Sequence, residues 1–158
     1  MDIPGPLPPI GTPPLAFRFV VAFFAGGTIP NPIDIYFQKV SGIGATVNTY
    51  TVEEGGQNLY TQHLPTKVQQ ENLVLERGIV SPSPLAIEFN AALSQFKFAP
   101  SNVLVTLLDN TGTLPAASWL FKTAYPVRWR TSDLNATTND VVIETLELAY
   151  QTMQTIRL

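Results

Sequence analysis

The stretch DLNATTNDVVIETLELAYQ, Asp133 to Gln151, decides how this chain is read. It opens on turn-forming Asp and Asn and runs into an uninterrupted segment rich in Val, Ile, Thr, Leu and Tyr, which predicts a long terminal β-strand. Two carboxylates, Glu144 and Glu147, sit inside that apolar run. They are separated by an odd number of positions, so in a strand their side chains leave opposite faces. A carboxylate dyad within this strand is therefore excluded, because both oxygens of such a pair must converge on one substrate. Adjacent Glu53 and Glu54 fail for the same reason. One of the two later glutamates is expected to face solvent or a lumen, and the other to pair with Arg128 or Arg130 on the preceding strand.

Outward from that stretch the chain is strand-rich. Leu15 to Ala25 is dense in aromatic and β-branched residues and predicts a strand covered on both faces. Gly26-Gly27, Pro30 and Pro32 form a loop. Asp34 to Val40 predicts a second strand, and Thr46 to Glu54 a third with neither face wholly apolar, so that one side meets solvent or a partner. Gln57 to Gln70 is polar and long, and is expected to be a projecting arm. Glu71 to Gly78, Val103 to Leu108 and Ala117 to Arg130 continue the strands, with a hairpin turn at Asp109 to Gly112. Pro126 must lie at a bulge or an edge, because it has no N–H for the ladder. One helix is expected, Leu85 to Phe98, with Ser83 as N-cap, Pro84 in its first turn and Ile87, Ala91, Leu93 and Phe96 as its apolar stripe. Six or seven strands and one helix indicate a mainly β fold, a small antiparallel barrel or sandwich with one flanking helix and a long projecting loop.

The 158 residues form one ordinary domain, with 45% hydrophobic and 13% charged residues and no cysteine. That length buries roughly 70% of the unfolded chain's surface, and the missing cysteine excludes disulfides, thiolate metal sites and a Cys nucleophile. Residues 1–14 hold six of the 14 prolines and are expected to be an extended polyproline-like arm preceding a domain over 15–158. The net charge of −3 is spread without blocks of one sign, and gives no footprint for nucleic acid. A surface poor in charge is easier to desolvate against another subunit, which favours oligomerisation, although a monomer with a neutral surface has the same composition. The longest apolar run, Phe19 to Ala25, is too short to span a bilayer. The opening MDIPG is acidic where a secretory leader would be basic, so a cytoplasmic origin or release by lysis is expected and the Asn135-Ala136-Thr137 sequon is read as chance.

Catalytic and metal motifs are missing. There is no GxSxG, P-loop, GxGxxG, HExxH or EF-hand pattern. His63 is the single histidine and lies in the polar arm, and Ser41-Gly42-Ile43-Gly44 reads as the end of a strand. No enzyme activity, cofactor or metal is expected.

Seven segments, in order, resemble those of tail tube proteins: FQKVSGI (Phe37 to Ile43), YTVEEGG (Tyr50 to Gly56), HLP (His63 to Pro65), NLVLERG (Asn72 to Gly78), VTLLDNTG (Val105 to Gly112), WLFKTAYPVRW (Trp119 to Trp129) and DLNATTNDVVIETLELAY (Asp133 to Tyr150). The chain resembles the tube proteins of contractile phage tails and of phage-tail-like extracellular injection particles, and more distantly the hemolysin-coregulated protein of type VI secretion. That resemblance implies a structural subunit forming hexameric rings stacked around a lumen, assembled in the bacterial cytoplasm into a virion tail or extracellular particle. Its implied partners are itself, a sheath protein and baseplate or hub proteins. The family's extended loop carries over to Glu54 through Gln70, which makes Glu54, Gly55, Gly56, Asn58, Tyr60, His63, Leu64 and Pro65 the candidate subunit-interface residues. The Pro-rich arm and the Gly26 to Pro32 insert are longer than a plain tube subunit needs, and leave open a tube-initiating, baseplate-adjacent paralogue. From a different class, a lipocalin-like small-molecule carrier would be a monomer with a closed apolar pocket.

Overall fold

The computed structural model describes residues 18–25, 29–30, 36–53, 55–56, 59–79, 81 and 83–157. The Pro-rich arm and most of the Gly26 to Pro32 insert lie outside them. Ten strands and one helix follow in the order β1 (Phe19–Ala25), β2 (Ile29–Pro30), β3 (Lys39–Ser41), β4 (Ala45–Val52), β5 (Gln62–Gln70), β6 (Leu73–Gly78), α1 (Pro84–Gln95), β7 (Ser101–Leu108), β8 (Pro115–Thr131), β9 (Ile143–Ala149) and β10 (Thr152–Arg157). All pairings are antiparallel, in one eight-stranded sheet ordered β2-β1-β7-β8-β9-β6-β3 with β10 also on β8, and a separate two-stranded sheet β4-β5.

The fold turns on the 17-residue strand β8. Its first half has β7 on one edge and β10 on the other, and its second half pairs with β9. Strands β9 and β10 thus follow one another along the same β8 partner. The predicted single terminal strand is broken at Tyr150 and Gln151, opposite Thr123, whose φ of 55° turns the β8 backbone. There the Gln151 N–H bonds the Lys122 carbonyl at 3.0 Å, and Tyr150 packs edge-on against Phe121. This corner carries the ribbon from one group of strands to the other, and both groups supply one core. Val21, Phe23, Val103, Val105 and Phe121 come from β1, β7 and β8, while Leu73, Leu75, Leu146 and Leu148 come from β6 and β9. Each strand sends alternate residues inward, as period-two side chains require. The edges β2 and β3 do not pair with each other, so the described residues form an open sandwich and not a closed barrel.

Several expectations are corrected. Asp133 to Val142 is a loop, because Asn135 Oδ1 accepts from the Thr137 N–H at 3.0 Å and hydroxyl at 2.6 Å, a local turn that competes with the ladder. In the predicted Asp34 to Val40 strand, only Lys39 and Val40 are in β3, and residues 34–35 lie outside the described set. The helix stops at Gln95. Its buried stripe is Leu85, Phe89 and Ala92, at i, i+4 and i+7, while Ile87, Leu93 and Phe96 of the expected stripe are exposed. Ser83 does cap it, accepting from the Ala86 N–H at 3.2 Å. Pro126 sits at a β8 register shift, as a proline inside a ladder must.

The β7–β8 turn is built on Asp109. Its carboxylate accepts from the Thr111 hydroxyl and from the Thr113 and Leu114 N–H groups. Those bonds, the Thr111 hydroxyl foremost, hold its pKa down from 3.8 to about 2 against the opposing effect of desolvation. Because the folded value is the lower one, this contribution is fully present above the unfolded value and is lost as pH falls through the folded one. Asp109→Asn should lower the thermal midpoint at neutral pH, and the gap to the parent should close between about pH 4 and pH 2. Thermal melts of both proteins across that window check it; a gap independent of pH would contradict it.

Candidate functional site

The region expected to be a projecting loop is mostly a β-hairpin. Gln62 to Gln70 is strand β5, paired with β4 from Ala45↔Gln70 to Val52↔Gln62. The β-branched residues of β4 supply a partner edge, and a register shift between Asn48 and Thr49 accommodates Pro65 and Thr66, whose hydroxyl bonds the Asn48 carbonyl at 2.9 Å. Within the described residues, neither strand touches any other element. The hairpin joins the sandwich only at its base, where the Glu71 N–H meets the Gly44 carbonyl at 3.4 Å.

Both hairpin faces are apolar in part. Val47 and Val68 pair on one face, and Tyr50 and Leu64 on the other; all four are at least 49% exposed. Near the tip, Leu59 is 96% exposed and Tyr60 is exposed beside it. A lone two-stranded ribbon is marginally stable in water, and these residues gain little from burial among the described residues.

Of the expected interface residues, Gly55 and Gly56 form the turn after β4, Tyr60 lies near the tip, and His63, Leu64 and Pro65 are on β5. His63 Nδ1 is 3.5 Å from the Thr51 hydroxyl. Glu54 and Asn58 lie outside the described residues. Val47, Tyr50 and Val68 were not singled out from sequence; the signal for two of them was the β4 alternation, in which neither face is wholly polar or wholly apolar.

A second feature is a pair of free strand edges. Strands β1, β7, β8 and β10 form a four-stranded sheet in which β2 shields only Phe24 and Ala25 of β1, and the outer edge of β10 has no described partner. Directions alternate across the four, so the β10 edge of one copy and the β1 edge of the next have antiparallel sense. On the face away from the core, Ala22, Leu104, Leu120 and Gln154 stand in one cross-strand row, and Val20, Thr106, Ser118 and Ile156 in the next. Lys122 is the charged side chain on that face among the described strand residues.

The two glutamates have structural partners. Glu144 is buried, and its Oε2 accepts from Arg77 Nε at 2.9 Å and its Oε1 from Trp129 Nε1 at 2.7 Å. Its cation is therefore Arg77 on β6, cross-strand from it, and not Arg128 or Arg130. Half-buried Glu147 accepts from Asn72 Nδ2 at 2.8 Å and lies 3.9 Å from Arg128. The strand alternation predicted from sequence separates them. A cavity of about 190 Å³ beside α1 opens to solvent, unlike the closed apolar pocket expected of a carrier.

No curated protein sequence matches the chain. Among solved structures it is similar to a chain of the anti-feeding prophage baseplate, with 40% identity, TM-score 0.86, and coverage of 94% of this chain and 98% of that one. It shares its fold with a chain of the anti-feeding prophage tube-terminating cap, at 20% identity and TM-score 0.82 over 100% of both chains. A type six secretion system protein has the fold at 13% identity and TM-score 0.56, over 87% of this chain and 82% of that one. The family model described as T4-like virus tail tube protein gp19 matches residues 15–154, and the chain belongs to that tail tube family.

Proposed function

We propose that this chain is a structural, non-catalytic subunit that assembles as hexameric rings stacked into the inner tube of a contractile tail or injection particle. The observation that carries the reading is the β4–β5 hairpin, apolar in part on both faces and covered by no other described element. Burial of Val47, Tyr50, Leu64 and Val68 against adjacent copies would supply the stability that the isolated ribbon lacks. Around the ring, the β10 edge of each copy would continue the sheet onto the β1 edge of the next, satisfying ladder groups that otherwise invite uncontrolled pairing. Such head-to-tail contacts are heterologous and close when the rotation permits. Each interface should bury more than about 1,000 Å². The sheet face bearing Leu104 and Leu120 would then line the lumen, with a sheath protein outside and a baseplate at one end. Assembly in the bacterial cytoplasm follows from this reading, with no role for membrane insertion or nucleic-acid recognition.

A second reading, the ring that joins tube to baseplate, is favoured by the 40% identity to a chain of an anti-feeding prophage baseplate. Excision of residues 45–70 with Gly44 joined to Glu71 tests the assembly role, because those two residues already meet at the hairpin base. The variant should keep the parent's circular dichroism after allowance for the lost ribbon, and form no rings or tubes in electron micrographs. Loss of folding would place the hairpin in the core, and intact tubes would refute its interface role. In the parent, single rings that never stack would support the baseplate-adjacent reading.

A further inference from the structure

Helix α1 ends in an outcrop that packing among the described residues does not explain. Phe96 caps the helix at φ 53° and ψ 36°, the left-handed region where glycine or asparagine is the usual residue. Its ring is 84% exposed, so burial does not offset the strained backbone. The ring stands edge-on to Phe98 with centroids 5.0 Å apart, and Phe98 stands edge-on to Tyr125 at 5.9 Å. Phe98 and Tyr125 are each 39% exposed. The cavity beside α1 continues this row, lined by Phe98, Phe89, Ala92, Pro126 and Leu148.

Ridged aromatic surfaces of this kind accept polyproline helices, which are already extended and lose little entropy on docking. Residues 1–14 hold six of the chain's 14 prolines, the composition such a segment needs. In a three-residue polyproline repeat, Pro4, Leu7, Ile10 and Pro13 fall on one edge at intervals of about 9 Å, comparable to the span of the three-ring row. We propose that the proline-rich N-terminal segment of one copy lays that edge across Phe96, Phe98 and Tyr125 of a neighbouring copy. This rests on the assembly reading. The neighbour is indicated by direction: β1 runs from Arg18 towards Phe23, and Phe23 lines the cavity, so residues 1–17 join the chain at the end of β1 remote from their own aromatic row. Docking on the same copy would require the segment, if in polyproline form, to double back about 17 Å along β1. In polyproline form the 17 residues extend about 50 Å, enough to reach an adjacent copy.

The test uses the full chain with the photo-reactive amino acid p-benzoylphenylalanine at position 96. Unlabelled and heavy-nitrogen protein are mixed before assembly, irradiated, digested and analysed by mass spectrometry. Crosslinks should map to residues 1–14 and join light to heavy peptides. The double substitution Leu7→Asp and Ile10→Asp should lower their yield about tenfold with circular dichroism unchanged. Assembled protein whose crosslinks fall elsewhere, or only within one chain, would overturn the proposal and leave the tube reading standing. Protein that stays monomeric at every concentration would defeat the tube reading itself, and this inference with it.

Discussion

Arg77→Met should lower the unfolding free energy by about 3–5 kcal/mol, because it leaves a buried carboxylate without its counter-charge. Both partners are shielded from water, with side-chain exposures of 2% for Arg77 and 5% for Glu144. The Arg77 Nη2 group also donates to Ser83 Oγ at 2.7 Å, and its guanidinium lies 5.3 Å over the Phe37 ring. One cation therefore ties β6 to β9, to the cap of α1 and to the segment before β3. The double replacement Arg77→Met with Glu144→Leu should recover most of the loss, since it removes both desolvated charges together. Urea unfolding of the four members of the cycle measures this. Additive single and double effects would show that the pair is not coupled.

Gly42→Ala should cost about 3–4 kcal/mol by the same measurement, from left-handed backbone strain combined with overpacking. Gly42 has φ +80°, and a Cβ built there overlaps the Asn72 carbonyl oxygen. Both colliding groups are tied to the backbone, so no rotamer change relieves them, and the link from β3 to β6 must move. Gly55→Ala is the control: nothing lies within 4 Å of its Cβ position and its φ is not positive, so the subunit's stability should change by less than about 0.5 kcal/mol. Equal losses at the two positions would mean that the close approach at Gly42 is not what constrains it.

Much of the fold was legible because one-sided burial writes itself into strands with period two. LVLERG, SNVLVTLL and IETLELA bury alternate residues along most of their length, Arg77 and Glu144 among them, and the opposed faces of Glu144 and Glu147 follow from spacing alone. Partner choice was not legible. Arg77 is 67 positions from Glu144, and only the β6–β9 register brings them together. Strand β5 reads as loop because its sequence, QHLPTKVQQ, lacks one-sided burial in this subunit and so carries no core-facing rhythm. The helix stripe was misassigned for a related reason. Exposed Ile87, Leu93 and Phe96 are as apolar as the residues beneath the helix, so composition alone did not tell which side meets the sheet.

The narrow attachment of the hairpin at Gly44 and Glu71 separates two kinds of order in time. The sandwich can reach its native packing with the ribbon still sampling many arrangements, since no core residue belongs to it. The conformational entropy of fixing that ribbon is then lost when a neighbour arrives, which opposes the first association events and not folding. On the assembly reading, a subunit built this way would resist premature polymerisation while it is dilute. Growth on an existing tube end, where the receiving surface is already in place, would be favoured over new nucleation.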